Sequence, residues 1–194
     1  MIELTLHFDG PFSWSSRNGT PSIFDSTVAA KAGVYLWTVA TPTGEFIYYV
    51  GETGRSFGTR MFEHLKEHLA GAYHVFDPVA LMRAEKKELW PGLYNRDRAR
   101  LLPELLLRFD ELAAPIARLV DVYRFHLAPT DADPRLRQRI EAALSRHLFA
   151  QSGLAGEFQD KGIRYRPRRV SEPSVQVRIT SSKQLVARPE LLEA

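Results

Sequence analysis

The chain opens on an alternation. Ile2, Leu4, Leu6 and Phe8 interleave with Glu3, Thr5, His7 and Asp9, the period-two pattern of a strand buried on one face. Gly10-Pro11 ends it, and the Ser-, Asn-, Gly- and Pro-rich run from Ser13 to Ser22 marks a loop. This strand is expected at the edge of a sheet. Ile23 to Lys31 suits a short helical turn. Two apolar runs, Val34–Val39 and Phe46–Val50, then flank Thr41-Pro42-Thr43-Gly44-Glu45, which fits a three-residue hairpin loop with proline opening the turn and glycine in the left-handed position. That loop pairs Thr41 with Glu45, hence Trp37 with Tyr49 and Tyr35 with Gly51. Tyr35 and Tyr49 then share a face, with open space beside Tyr35. A loop one residue shorter would send the tyrosines to opposite faces.

Helical spacing follows. Met61, Phe62, Leu65 and Leu69 form an apolar stripe, and Arg60, His64 and His68 recur every fourth residue on a neighbouring face. Residues 71–115 read as a helical insertion. One helix is expected from Pro78 to Leu89, broken by Trp90-Pro91-Gly92. A second, from Asp97 to Ala114, is started or kinked by Pro103. Ile116 to Leu127 returns to strand, with Leu119, Tyr123, Phe125 and Leu127 on one face and Asp121 interrupting it. Asp133 then caps a helix with Pro134 at its first position. Leu136, Ile140, Leu144 and Leu148 form its stripe, with Glu141 beside it. Past Gly153 the chain turns basic: a strand there would put Arg164, Arg166 and Arg168 on one face and Tyr165 on the other, and Val175, Val177 and Ile179 suggest a last strand.

Together these elements predict an α/β domain with a small mixed central sheet (Val34–Val39, Phe46–Val50, Arg118–Leu127) flanked by helices at Arg60–Leu69 and Arg135–Phe149. Residues 1–32 would elaborate the sheet, 33–150 form the main domain, and 151–194 make a basic extension. The length, 194 residues, suits one domain with elaborations or one and a half, and 44% hydrophobic residues suffice for a globular core. A net charge of +3 permits a nucleic-acid partner without requiring one. With no cysteine, disulfides and thiolate metal sites are excluded. No apolar run reaches membrane-spanning length and no signal peptide opens the chain, so a soluble cytoplasmic protein is expected.

Gly33-Val34-Tyr35 on one strand, Tyr49-Val50-Gly51 on the next, and Arg60 and His64 on the following helix resemble, in order and spacing, the GIY-YIG nucleases. That family includes homing endonucleases, some restriction enzymes and the nuclease domain of a bacterial excision-repair protein. The resemblance runs from Gly33 to about Phe149, interrupted by the insertion, with valine for isoleucine in both tripeptides. It implies a metal-dependent endonuclease that hydrolyses phosphodiester bonds, with DNA the expected substrate and repair or restriction the setting. By resemblance, Tyr35 is the general base, Tyr49 orients it, Arg60 holds the phosphate and His64 assists. Glu141, in Arg139-Ile140-Glu141-Ala142-Ala143, takes the place of the glutamate that binds Mg²⁺ or Mn²⁺. Arg55, Lys161, Arg164, Arg166, Arg168 and Arg169 are the expected contacts to nucleic-acid phosphates.

A free phenol loses its proton near ~10, so a tyrosine base needs positive charge nearby, which Arg60 and the metal could supply. Many family members carry an asparagine after the glutamate helix. Asn18 and Asn95 both come too early, and Gln159 is the amide that could substitute. A non-catalytic nucleic-acid-binding module on the same fold is therefore a standing alternative. So is a remote one, because His64-Leu65-Lys66-Glu67-His68 matches the H-x-x-E-H zinc-peptidase signature. The plainer possibilities are a core role for Tyr35 and a surface ion pair between Glu141 and Arg137.

Overall fold

The computed structural model describes residues 2–94, 98–151, 154–158 and 165–194. Strand β1 (Ile2–Phe12) leads through 3₁₀ turns at Arg17–Gly19, Ile23–Asp25 and Thr27–Ala30 into the hairpin β2 (Gly33–Thr41) and β3 (Gly44–Thr53). Helix α1 (Phe57–Leu69), β4 (Val75–Phe76), α2 (Pro78–Met82), β5 (Glu88–Trp90), α3 (Arg98–Leu107) and α4 (Phe109–Val122) follow. Then come β6 (Tyr123–Pro129), α5 (Pro134–Phe149), α6 (Leu154–Glu157), β7 (Val175–Ser181), β8 (Leu185–Val186) and β9 (Leu191–Glu193). The protein is mixed α/β, and its sheet is larger than the sequence suggested: seven strands in the order β8-β3-β2-β6-β1-β7-β9. Among the described residues, no helix is long and apolar enough to cross a membrane.

Alternation along β2 divides the core. Tyr35, Trp37 and Val39 point into a largely aromatic cluster closed by Phe57 and Met61 of α1, and by Leu112, Ile116 and Leu119 of α4. Val34 and Leu36 point the other way, into an aliphatic cluster with Leu6, Phe8, Ile47, Val50, Val177, Ile179, and Ile140, Leu144 and Leu148 of α5. Each fully buried side chain of this size contributes roughly 1.5–3 kcal/mol. Helices start where the sequence signals: the Ser56 side chain accepts from the Thr59 N–H to cap α1, and Asp133 accepts from Arg135 and Leu136 to cap α5, ahead of Pro134. Each cap is worth about 1 kcal/mol.

The β2–β3 hairpin reaches the expected pairing by another route. Its loop is Pro42-Thr43 alone, with Thr41 opposite Gly44, one residue shorter than expected. Taken alone that would flip the tyrosines apart. A β-bulge at Tyr48 inserts one extra residue between the Thr38–Ile47 and Trp37–Tyr49 pairs and restores the register, so Tyr35 faces Gly51 after all. Tyr48 and Tyr49 consequently both pack against the aromatic cluster.

Other elements differ from expectation. Strand β1 runs on through Gly10-Pro11 to Phe12, with an irregularity between Asp9 and Phe12 where the proline can offer no ladder hydrogen. It is internal rather than at an edge, antiparallel to β6 and parallel to β7, because the C-terminal segment supplies the next strand. Residues 116–122, expected as strand, complete α4. Leu112, Ile116 and Leu119 recur at helical spacing and are buried, whereas a strand would have aimed Asp121 inward; Asp121 instead pairs with Arg17 at 3.1 Å. The helix expected to Leu89 stops at Met82, Ala84 has φ 62°, and Glu88–Trp90 pairs with β4. The single helix expected over Asp97 to Ala114 is two, meeting at Arg108, with Pro103 inside α3 and Pro115 inside α4. On α1 the buried face is Phe57, Met61, His64 and His68, while Phe62 and Leu69 are exposed. The described residues from Tyr165 to Arg169 form no strand. Arg135 donates instead to the carbonyls of Arg166 and Pro167.

Candidate active site

Tyr35 is the hub. Its side chain is fully buried, and its ring crosses β3 directly over Gly51. A Cβ on Gly51 would sit 2.3 Å from the tyrosine Cζ and 2.4 Å from its hydroxyl, so only glycine leaves room. On one side of β3, strand β8 pairs with Glu45 and Phe46 alone. The far end of β3, where Tyr49, Gly51 and Glu52 lie, has no strand partner on that side among the described residues. There α1 from the aromatic face and α5 from the aliphatic face bring side chains toward the same hydroxyl.

Arg60 and His64 stand one helical turn apart on α1. Arg60 Nε donates to the Tyr35 hydroxyl at 3.3 Å, and His64 Nε2 lies 2.8 Å from it. The Tyr49 ring packs beside that of Tyr35, 6.2 Å from centroid to centroid. His64 Nδ1 meets the Tyr73 hydroxyl at 2.7 Å. Burial, together with the Arg60 charge, holds the His64 pKa down to about 3, so the ring is neutral and carries one N–H. With Arg60 donating to the Tyr35 oxygen, the phenol proton is assigned to Nε2. Nδ1–H then donates to Tyr73.

Burial raises the Tyr35 pKa to about 12 against the pull of Arg60, and burial also raises that of Tyr49 well above its ordinary value. Burial opposes the Arg60 cation, but the surrounding hydroxyls of Tyr35, Tyr49 and Tyr73 outweigh it, and its pKa rises. Glu141 enters from α5. Burial and then the neighbouring Glu52 carboxylate lift its pKa to about 7, partly offset by the Glu52 backbone N–H and by Arg60. Its charge is felt at both Tyr35 and Tyr49. The ion pair considered for it does not form: Arg137 pairs with Glu52 at 3.2 Å.

Three of the expected residues, Tyr49, Arg60 and His64, thus gather around a fourth, Tyr35, with Glu141 in electrostatic reach. Arg55 lies beside them but is engaged, donating to both Glu63 oxygens at 2.5 and 2.7 Å, while Glu63 also takes Arg60 at 3.3 Å. Arg166, Arg168 and Arg169 are exposed and run beside the first half of α5. Arg166 lies 3.4 Å from Gln138, and Arg168 lies 3.4 Å from Glu193. Lys161, Arg164 and Gln159 fall outside the described residues, as does Asn95. His68 is not a partner of His64: its Nε2–H donates to the Ile116 carbonyl at 3.1 Å, and its ring packs on Trp14 and Tyr123. With both His64 nitrogens hydrogen-bonded to phenols, a zinc ion shared by these two histidines would have to displace Tyr35 or Tyr73 from His64.

Three participants escaped the sequence reading. Tyr73 follows the end of α1 with no spacing signal. Glu52 directly follows the Tyr49-Val50-Gly51 tripeptide, and its position opposite Val34 turns it toward α5. Glu63 sits three residues beyond Arg60 on α1, a spacing that could have flagged it. No family model matches the chain, and no curated protein or solved structure matches it either.

The donor set suits a hard divalent cation. Glu141 and Glu52 are two nearby carboxylates, and Mg²⁺ commonly takes one or two with water filling the rest. Among the described residues there is no cluster of three or more His, Cys, Asp or Glu side chains.

Proposed function

We propose that this protein is a metal-dependent nuclease of the GIY-YIG type, cleaving phosphodiester bonds in nucleic acid, with DNA the expected substrate and the cytoplasm the expected setting. The observation that carries this reading is the meeting of Arg60 and His64 on one buried hydroxyl, that of Tyr35, with the Tyr49 ring packed beside it and the Glu141 carboxylate in electrostatic reach. Glu141, with Glu52 beside it, would hold Mg²⁺ or Mn²⁺. The bound cation supplies Lewis acidity toward the phosphate and lowers the pKa of a water.

The high Tyr35 pKa argues for a relay rather than a standing phenolate. Arg60 leaves the Tyr35 oxygen to grip the scissile phosphate, which frees a lone pair there. As water attacks phosphorus, its proton passes to the Tyr35 oxygen, and the original phenol proton moves to His64 Nε2. The Nδ1 proton passes to Tyr73, which releases its own to solvent. One P–O bond forms, the bond to the leaving oxygen breaks, that oxygen takes a proton from solvent to leave as the alcohol, and no protein group ends the step charged. Such positioned proton transfer is worth about 10²–10⁴ in rate.

The second reading, a nucleic-acid-binding module without catalysis, draws on the complete burial of Tyr35. Incubating the protein with supercoiled plasmid and with single-stranded and duplex oligonucleotides in Mg²⁺ or Mn²⁺ decides between them. The proposal expects cleavage that chelation abolishes. Binding without cleavage under every condition supports the module instead.

A further inference from the structure

Beyond the hydroxyl cluster, the loop after α1 and the segment after β5 enclose a hollow of about 180 Å³, lined by Glu67, Ala70, Ala72, Leu93, Tyr94 and Arg98. Its frame is fixed by backbone contacts. Leu93 N–H donates to the Gly71 carbonyl and Tyr94 N–H to that of Ala72, both at 3.2 Å, and Trp90 Nε1 also donates to the Gly71 carbonyl. This close approach needs Gly92, which has φ 78° and whose Cβ would fall 2.7 Å from the Ala72 carbonyl oxygen. Tyr94 stands beside Glu67, whose charge, after burial, raises the phenol pKa. One face of its ring rests on Tyr73 at 5.6 Å, yet the residue stays 65% exposed. Tyr73 is the residue that holds His64 Nδ1. An exposed aromatic face therefore stands two contacts from the Tyr35–His64 pair, in a hollow that Arg98 and Glu67 also line.

We infer that this hollow is a nucleotide subsite that takes one unpaired base next to the scissile phosphate. The base stacks on the free face of Tyr94, Arg98 meets the nucleotide's phosphate, and Glu67 accepts a hydrogen bond from an amino or ring N–H of the base. A single exposed ring can stack only on a base face that is not covered by a neighbour, so the preferred substrate is a single strand, a flap or a duplex with an extrahelical nucleotide, rather than blunt paired duplex. The inference rests on the nuclease reading and names its substrate class.

Metal-free binding is the test, using wild type, Tyr94→Phe and Tyr94→Ala. The probes are a single-stranded oligonucleotide, a blunt duplex and the same duplex with one unpaired 2-aminopurine. Wild type should prefer the two unpaired probes and quench the 2-aminopurine. Tyr94→Ala should weaken them by about 10-fold or more, as loss of one stacked base does, and leave the blunt duplex unchanged. Tyr94→Phe, which keeps the ring, should retain the preference. Wild-type binding that Tyr94→Ala does not alter, or weakens equally for all three probes, overturns the subsite and leaves the nuclease reading standing. Failure of the wild type to bind any probe overturns both.

Discussion

Replacing Glu141 with glutamine should make the protein more stable, and only above a certain pH. In the folded chain this carboxyl has its pKa raised from 4.5 to about 7, first by burial and then by Glu52. The native state therefore holds the proton more tightly than the unfolded chain does. The stability contributed by the neutral carboxyl is complete below the unfolded pKa and is lost as pH rises through the window from 4.5 to about 7. At 1.36 kcal/mol per unit the shift corresponds to about 3 kcal/mol, and partial exposure of the group reduces this to about 2 kcal/mol. Glutamine keeps the size, keeps an oxygen for the Glu52 N–H and never ionises. At pH 8, Glu141→Gln should exceed the wild type by about 2 kcal/mol in urea unfolding, or roughly 4–8 °C in melting temperature. At pH 4 the two should coincide. Mg²⁺ or Mn²⁺ should raise the wild-type midpoint at pH 8 and leave the variant's unchanged, because the cation needs the carboxylate. A variant that is less stable at pH 8, or a gap of equal size at both pH values, would refute the assignment of Glu141 as a strained, metal-ready carboxyl.

Further expectations concern its neighbours. Gly51→Ala forces a methyl against the Tyr35 ring; it should cost about 1–3 kcal/mol in denaturant unfolding and lower cleavage by about 10² or more while nucleic acid still binds. Tyr73→Phe removes the proton acceptor for His64 Nδ1; it should cut kcat by roughly 10², leave KM alone and diminish the solvent isotope effect, all read from steady-state kinetics in H₂O and D₂O. Glu63→Gln loosens Arg55 and Arg60 from their shared carboxylate. Metal-free affinity should rise a few-fold and the slope of log K against log salt should steepen by up to about one unit, as a salt titration would show.

How far the sequence carried the account depends on the kind of signal. The Tyr35–Tyr49 side of the site was legible because strand alternation and the glycine at 51 are local facts. The pairing survived a wrong turn length only because the bulge at Tyr48 offset it, and nothing in Ile47-Tyr48-Tyr49 announces a bulge. The capped helix bearing Glu141 was legible from Asp133-Pro134 and its spacing-four stripe. The seven-stranded sheet was not, because β1 and β7 pair in parallel across almost the whole chain and no local pattern encodes that distance. Residues 116–122 showed both periods, and tertiary burial of Ile116 and Leu119 selected the helix. In the sequence the histidine face of α1 reads as a flank, because polar residues usually face water. Here His64 and His68 enter the core since each finds hydrogen-bond partners there.

The most direct test of the central claim joins catalysis and binding in one set of proteins. Single-turnover cleavage in Mn²⁺ and metal-free equilibrium binding should be measured on wild type, Tyr35→Phe and Glu141→Gln, each verified as folded. The account predicts that Tyr35→Phe loses about 10²–10⁴ in rate and Glu141→Gln loses metal-dependent cleavage, with affinity unchanged or slightly tighter in both. Wild-type cleavage that persists undiminished in both variants would contradict it.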